Sequence, residues 1–327
     1  MSLFNFKKQI VRDLAWVMRS PGLVSPPPLV EGQDRTSATK VVADISCRRI
    51  YERNLDWIVA LENRCDLLSQ WIKQSQSHRL GYYFESLVEF WLQHRVASKA
   101  LSSHVQVANA QRTLGEFDFV FNRELSEISL HWEVAIKFYL HYIDSEGSVH
   151  WLGPNGQDSL ETKLNHLQRH QLLLAQTHEG RTALHELGFD QVRSELFLKG
   201  YLFYPLSYRH GNEAQYCAGL RLSSCHLKGW WCRYPNLQLP QIKPGTFWRL
   251  LDKSLWLSPA CLNNLGEPSE LLTVDQVVTV CEQHFAQSKR SLLFAEMVQA
   301  VEGRWQEVKR GFVVHPDWPF NRARIET

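Results

Sequence analysis

Two acidic side chains and a lysine occupy positions from which they could act together on one substrate. Asp118 lies in a segment whose apolar residues alternate with polar ones, and Glu133 and Lys137 lie in a second segment of this kind. If the two segments are paired strands, the three side chains project from one side of the sheet. Two carboxylates can hold a Mg²⁺ or Mn²⁺ ion and place a water beside it, while a lysine supports the nucleophile. This chemistry is suited to the hydrolysis of phosphodiester bonds, with Asp118 and Glu133 as the metal ligands.

An ordinary hairpin offers a second interpretation of the same residues. Acidic and basic side chains often face solvent from one side of a hairpin, where cross-strand ion pairs contribute ~0.2–1 kcal/mol each. The pattern leaves both interpretations open, because it fixes which residues share a face and does not say what they bind.

The alternation predicts two long strands. In residues 116–122, Glu116 and Asp118 should face one side of the sheet. The phenylalanines of this strand should face the other side: Phe117, Phe119 and Phe121. In residues 130–140, apolar and polar residues alternate six times, which is typical of a strand with one face in a core. A hairpin of these two strands would place its apolar side in the interior.

Helices and further strands flank the predicted hairpin. Apolar residues at helical spacing predict a helix over 79–96, and Glu85 lies at the edge of its apolar stripe, from which it could reach the carboxylates. A second helix is predicted over 158–178, with Asp158 as its N-cap. Two shorter strands are predicted at 104–108 and 196–204. The order helix, strand, strand, strand, helix, strand indicates an α/β fold.

The chain outside this unit divides into two segments of different composition. Residues 1–78 are predicted to be mainly helical, with a stiff proline-rich linker at 26–28. Residues 206–327 form an aromatic-rich segment of short strands and loops with a predicted final helix at 292–309. We therefore predict three regions, 1–78, 79–205 and 206–327, the last of mixed α+β type.

Three short segments resemble the core of the PD-(D/E)XK nuclease superfamily: residues 81–85, 115–118 and 132–137. That superfamily has an α-β-β-β-α-β core of the restriction-endonuclease-like type, in the order predicted for 79–205. The resemblance implies a metal-dependent nuclease that acts on DNA or RNA. It implies that Asp118 and Glu133 bind Mg²⁺ or Mn²⁺, that Lys137 is the catalytic lysine, and that Glu85 and Glu116 assist.

A narrower resemblance extends over most of the chain. Residues 12–16, 133–140 and 153–154 are similar to an uncharacterised bacterial family, a domain of unknown function assigned to the same superfamily. Single residues outside these segments share the resemblance: Asp158, Lys163 and Gln171.

The sequence departs from the superfamily pattern at one position. The usual acidic residue two positions before the lysine is replaced by Ala135, and Glu133 lies about 13 Å from Lys137 along an extended strand. Either Glu133 is a displaced acid, or the lysine has moved and Lys137 or Lys163 takes its place, or the site is degenerate. The last case predicts an inactive nuclease fold that binds nucleic acid or protein.

A second candidate region lies in the C-terminal segment. Residues 214–251 contain no Asp or Glu, and they carry basic residues interleaved with aromatic ones. The residues expected to contact nucleic acid are Arg221, Lys228, Trp230, Trp231 and Arg233. Basic side chains neutralise phosphates, and exposed rings stack on bases. A tryptophan-rich core is the alternative, with Trp230 or Trp231 as the best candidates for exposure. A third possibility is that this segment is an interface within a larger complex.

Composition narrows the classes of protein further. Hydrophobic residues make up 44% of the 327 residues and charged residues 21%, which excludes disordered, collagen-like and coiled-coil chains. A net charge of +2 gives no overall signal for nucleic acid, and no apolar run approaches the ~18 residues of a membrane span. The 7 cysteines form no C-x-x-C pair. These features predict a cytoplasmic protein without a membrane partner.

Overall fold

The structure, a computed structural model, describes residues 2–25, 40–42, 44–74, 79–123, 127–208, 215–237, 246–262, 269–300 and 303–320. The proline-rich linker predicted at 26–28 lies outside these residues. The described helices are α1 (Gln9–Arg19), α2 (Asp44–Arg53), α3 (Leu55–Asn63), α4 (Asp66–Gln74), α5 (Leu80–Trp91), α6 (Leu160–Arg169), α7 (His178–Glu186) and α8 (Val274–Phe285). None of them is long and apolar enough to cross a membrane.

Thirteen strands occur in the same ranges. They are β1 (Val24–Ser25), β2 (Ala97–Ala108), β3 (Thr113–Arg123), β4 (Ser129–Ile143), β5 (Val149–Leu152), β6 (Val192–Pro205), β7 (Tyr216–Cys217), β8 (Leu220–Leu222), β9 (Leu227–Arg233), β10 (Phe247–Leu250), β11 (Cys261–Leu262), β12 (Leu292–Gln299) and β13 (Trp305–Val314). The fold is therefore a mixed α/β fold.

One mixed sheet of ten strands organises the described part of the chain. Its main order is β10-β12-β13-β9-β6-β4-β3-β2, with β5 beside β4 and β11 beside β13. The central strands β4, β6, β9 and β13 run parallel, and the outer pairs are antiparallel. A small second sheet has the order β1-β8-β7.

The predicted hairpin of β3 and β4 is confirmed. The two strands pair antiparallel, with Phe119 opposite Trp132. Trp132, Val134 and Ile136 are buried in the main hydrophobic core, as the alternation predicts. Because a register shift of one residue would reverse both faces of β4, this burial also fixes the side on which Glu133 and Lys137 lie.

Helices cover both faces of the sheet. On one face, α1 and α5 bury Trp16 and Phe84 against the main core. On the other face, α6 buries Leu160 and Leu164 beside Tyr139 of β4. The elements of residues 79–205 follow the predicted order as α5, β2, β3, β4, α6 and β6, with β5 and α7 as additions.

The three predicted regions share one core. Trp16, Phe84 and Phe312, one from each region, belong to the same buried cluster. The helical character predicted for the N-terminal region is confirmed by α1 to α4. The region boundaries themselves remain predictions.

The helix predicted over 158–178 begins later and ends earlier than expected. Its N-cap is Ser159, whose hydroxyl accepts a hydrogen bond from the Thr162 amide at 3.2 Å. The carboxylate of Asp158 instead accepts a hydrogen bond from the Tyr139 hydroxyl at 3.0 Å. After α6 the chain continues as a 3₁₀ helix, Gln171–Gln176.

The prediction of a final helix at 292–309 is wrong, since this segment forms β12 and the first half of β13. Leu293, Ala295 and Met297 pack into the main core, whereas Phe294 packs into a different cluster on the opposite face. A strand that is buried on both faces has a continuous apolar run, which sequence periodicity does not separate from a buried helix.

Phe117 also departs from its predicted face. It packs in a cluster with Val120, on the side of the sheet opposite to Phe119. The backbone is irregular beside Asp118. His104 of β2 lies opposite Asp118 of β3 and has a φ of 53°. This change of backbone conformation interrupts the regular alternation.

We expect Gly200→Ala to destabilise the protein by about 3 kcal/mol or more, measured by urea unfolding. Gly200 of β6 pairs with Lys137 and has a φ of 138°. A Cβ atom at this position would lie 1.7 Å from the Lys137 carbonyl oxygen, so both backbone strain and overlap oppose it. Gly188→Ala is the control, because Gly188 also has a positive φ, 81°, but has nothing within 4 Å of the added atom. Equal costs for both variants would contradict the close approach.

Candidate active site

Asp118 marks the point at which β3 and β4 separate. The paired residues of the two strands run from Phe121 to Phe119, and the next residue, Asp118, uses its carboxylate to accept a hydrogen bond from the Val134 amide at 2.7 Å. A side chain thus replaces the backbone partner that a continuing ladder would supply. Four acidic residues surround this point, and we call them the acidic cluster: Glu85, Glu116, Asp118 and Glu133.

The electrostatics of Asp118 show that these carboxylates lie close together. Burial, together with the negative charges of Glu85 and Glu116, raises the pKa of Asp118 to about 7. The Val134 amide and His104 act in the opposite direction. Like charges that share a site disfavour ionisation of one another, so the group retains protons at neutral pH when no cation is bound.

Glu133 is the most strongly perturbed member of the acidic cluster. Burial, followed by the charge of Asp118, raises the pKa of Glu133 to about 9. Its Oε2 atom is buried without a hydrogen-bond partner, at 3.8 Å from His131 Nε2. Burial lowers the pKa of His131 to about 3, so this ring is neutral and supplies no compensating charge.

Lys137 interacts with Glu85 of the acidic cluster and with a second lysine. Burial and the neighbouring charge of Lys163 lower the pKa of Lys137, while Asp158 and Glu85 oppose this change. The two lysines between which the sequence left a choice are therefore neighbours. A lysine with a lowered pKa is better suited to exchange a proton than an ordinary surface lysine.

Glu85 reaches the site from α5. Burial raises the pKa of Glu85, and Glu116 raises it further, while His104 and Lys137 lower it. His104 also contacts Glu116, with its Nδ1 atom 3.1 Å from a carboxylate oxygen. His104 was not among the predicted site residues, because a single histidine at the end of a short predicted strand gives no distinct sequence signal.

The residues that carry the narrower family resemblance border the same site. The Gly153 amide donates to the Asp158 carbonyl at 2.8 Å, and a Cβ on Gly153 would lie 2.0 Å from an Asp158 carboxylate oxygen. Gln171 donates to the Glu116 carbonyl at 3.4 Å and also hydrogen-bonds Glu133. Charge interactions link Glu85, Asp118 and Glu133 with one another, Glu85 with Lys137, and Lys137 with Lys163, so the five predicted catalytic residues form a connected group.

The donor set fits a hydrated divalent cation better than a closed metal site. Among the described residues, no three His, Cys, Asp or Glu side chains are arranged to hold a metal ion. Mg²⁺ usually keeps several waters and binds one or two protein carboxylates. Asp118 and Glu133 would supply two, and the unpartnered Oε2 of Glu133 is a buried acceptor of the kind that such an ion would satisfy.

The expected exposure of Trp230 or Trp231 is wrong, because β9 lies in the middle of the sheet between β6 and β13. Trp230 is 6% exposed and Trp231 5%. The Trp231 indole donates to the His141 carbonyl at 2.9 Å, and Trp230 packs edge-to-face on Trp248. Neither ring is available to stack on a base.

The basic residues of this region do not form a single patch. Lys228 lies 5.9 Å from the ring centre of Tyr204, whereas Arg233 contacts Trp231 and Trp318 from the opposite face of β9. Arg221 lies in the small sheet, on β8. Arg221 and Lys228 are exposed, and their contact with nucleic acid remains a prediction.

No curated protein and no solved structure matches this chain. A family model described as a domain of unknown function, DUF1853, matches residues 12–314. The match begins at Arg12 and includes the whole acidic cluster, Lys137 and Lys163. Since the matched region covers most of the chain, this protein belongs to the DUF1853 family.

Proposed function

We propose that this protein is a metal-dependent nuclease with a PD-(D/E)XK-like, restriction-endonuclease-like core in residues 79–205. The observation that carries the proposal is the acidic cluster at the separation of β3 and β4. Its carboxylates raise one another's pKa, and Lys137, which interacts with Glu85 of the cluster, has a lowered pKa. Buried groups with opposed perturbations in one cleft are typical of sites that transfer protons.

Each residue has a role in this proposal. Asp118 and Glu133 would hold Mg²⁺ or Mn²⁺, which supplies positive charge to a phosphate oxygen when it is bound. Lys137 would orient the attacking water and accept its proton, because burial lowers its pKa and so favours the neutral amine that can take up a proton. Lys163, which is exposed at the rim, would contact the phosphate, and Glu85 and Glu116 would orient water. The proposed substrate is nucleic acid, and the experiment below tests both DNA and RNA.

A catalytically inactive nuclease fold that binds nucleic acid or protein is the second candidate. Two observations favour it. Ala135 occupies the usual acidic position, and the described residues contain no group of three metal-ligating side chains. A binding protein of this kind would retain its nucleic-acid affinity and cleave nothing with any divalent cation.

We expect Lys137→Met to reduce the cleavage rate by about 10²- to 10⁴-fold, the usual contribution of a positioned proton-transfer group. The full chain is incubated with labelled single- and double-stranded DNA and RNA in Mg²⁺, Mn²⁺ or EDTA. Glu85→Gln should also reduce the rate. Glu89→Gln, one helical turn further along α5, is the matched control, because Glu89 accepts a hydrogen bond from Ser103 at 2.6 Å instead.

The outcomes separate the candidates. Cleavage that requires metal and Lys137 supports the nuclease. Metal-independent cleavage, or cleavage that Lys137→Met leaves unchanged, contradicts the proposed site. Tight binding with no cleavage of any of the four substrates favours the inactive fold.

A further inference from the structure

A cavity lies on the face of the sheet opposite to Lys137. It has a volume of about 650 Å³ and lies between α1, α2 and β6. Volumes of about 300–1,000 Å³ are typical of small-molecule sites. We call it the Ser20 cavity, and the lining residues used below are Trp16, Arg19, Ser20, Arg48, Tyr51 and Tyr201.

Ser20 contributes a buried hydroxyl to this cavity that has no hydrogen-bond partner. The residue is 5% exposed, and its Oγ atom is unpartnered. Its backbone groups are already used, since the amide donates to the Trp16 carbonyl at 2.8 Å and the carbonyl accepts from the Lys199 ammonium. Because buried hydroxyl groups are normally hydrogen-bonded, the free hydroxyl is available to a polar ligand atom in the cavity.

A buried positive charge lies directly behind Ser20. Lys199 is 1% exposed, and its contacts in the described part of the chain are the Ser20 carbonyl, Cys47 Sγ at 3.2 Å and the Phe197 ring at 4.7 Å. None of these partners is a carboxylate. A buried ammonium without an acidic partner costs free energy unless an anion approaches it.

The rim of the cavity adds two further positive charges. Arg19 and Arg48 line it, and Glu52 is the acidic residue among the lining side chains. The Arg19 guanidinium lies 5.6 Å from the centre of the Tyr51 ring. Among the described lining residues, together with Lys199 behind Ser20, three side chains are basic and one is acidic.

The inner wall of the cavity is aromatic. The rings of Trp16 and Tyr201 are stacked on each other, with centroids 6.0 Å apart and planes 6° from parallel, and both line the cavity. An aromatic wall of this kind favours a ligand with an apolar body.

We propose that the Ser20 cavity binds a small organic anion with an apolar body. Its phosphate or carboxylate would contact Arg19, Arg48 and the Ser20 hydroxyl, and its apolar part would contact the aromatic wall formed by Trp16 and Tyr201. A nucleoside monophosphate and an aromatic carboxylate share this chemistry. The site is on the other face of the sheet from Glu133 and Lys137, so it does not depend on nuclease activity.

Calorimetric titration of the full chain tests the proposal with adenosine monophosphate, benzoate, inorganic phosphate and adenosine. We expect one of the first two to bind, and to bind more tightly than phosphate or adenosine alone. Adenosine monophosphate alone would identify a phosphate ligand, and benzoate alone a carboxylate. Arg48→Gln should weaken binding at least about tenfold, because it removes a hydrogen bond between charged groups.

Arg49→Gln is the matched control, because Arg49 is the next residue on α2, is exposed and does not line the cavity. Ser20→Ala should also weaken binding without loss of folded protein. The proposal is overturned if none of the four probes binds at millimolar concentration, or if Arg48→Gln and Arg49→Gln bind equally well.

Discussion

We expect Mg²⁺ or Mn²⁺ to raise the melting temperature of the parent protein and Asp118→Asn to abolish this rise. A cation that binds only the folded state stabilises it by about 2.7 kcal/mol at ~100 times its Kd. The asparagine keeps the shape of Asp118 and an oxygen for the Val134 amide, and it removes the charge that an ion would require. Calorimetric titration with Mn²⁺ and thermal unfolding in its presence measure the difference.

The effect of the metal should increase with pH. The pKa values of Asp118, about 7, and Glu133, about 9, lie above their ordinary values of 3.8 and 4.5. At a pH between its ordinary and its raised pKa, each carboxyl keeps in the folded protein a proton that it has released in the unfolded chain. These two groups therefore make the protein less stable as pH rises. A cation replaces the protons. Its stabilisation should therefore be larger near pH ~8.5 than near pH ~6.

Without metal, Asp118→Asn should be more stable than the parent above pH ~7, where the parent must ionise a buried carboxylate. Glu146→Gln is the control, since Glu146 is an exposed acid outside the cluster. Equal heats of Mn²⁺ binding to parent and Asp118→Asn would sink the metal-site proposal. If Asp118 belongs only to a structural hairpin ion pair, metal should have no effect on either protein.

Arg310→Met is expected to destabilise the protein by about 3–5 kcal/mol, because it leaves a buried carboxylate without its partner. Arg310 is 1% exposed, donates to Glu307 and to the carbonyls of Trp256 and Ser258, and lies 4.5 Å from the centre of the Tyr201 ring. Urea unfolding measures the change in the free energy of unfolding.

The double variant Glu307→Gln, Arg310→Met tests the reason for this loss. Glu307 accepts a hydrogen bond from the Ala260 amide at 2.7 Å, which a glutamine oxygen can still accept. Removal of the unpaired charge should therefore restore much of the stability. A double variant that is at least as unstable as the single one would show that the packing of Arg310 matters more than its charge.

The sequence predicted best where one face of a strand is polar. On β4, alternation alone placed Glu133 and Lys137 on one side and Trp132 in the core, and this correctly led to a hairpin with Asp118 nearby. The prediction that Glu85 reaches the other carboxylates followed from its position at the edge of the apolar stripe of its helix. In both cases a local period reports which side of an element is buried.

The sequence failed where both faces of a strand are buried. Trp230 on β9 and Phe294 on β12 lie in strands that have neighbours on both sides and cover on both faces. Apolar and aromatic residues then occur without alternation, and only the tertiary arrangement decides their exposure. The Ser20 cavity was missed for a similar reason, since Lys199 and Ser20 are 179 positions apart in sequence.

The order of strands in the large sheet has a consequence for synthesis of the chain on the ribosome. Once β6 has emerged, it can pair with β4, but its other edge stays unpaired until β9 is synthesised. The free edge of β9 then stays unpaired until β13, which ends at residue 314, is synthesised. An open edge of this kind is a site at which nascent chains associate with one another. Pauses in translation between β9 and β13 would therefore prolong the period in which this protein is most prone to aggregate.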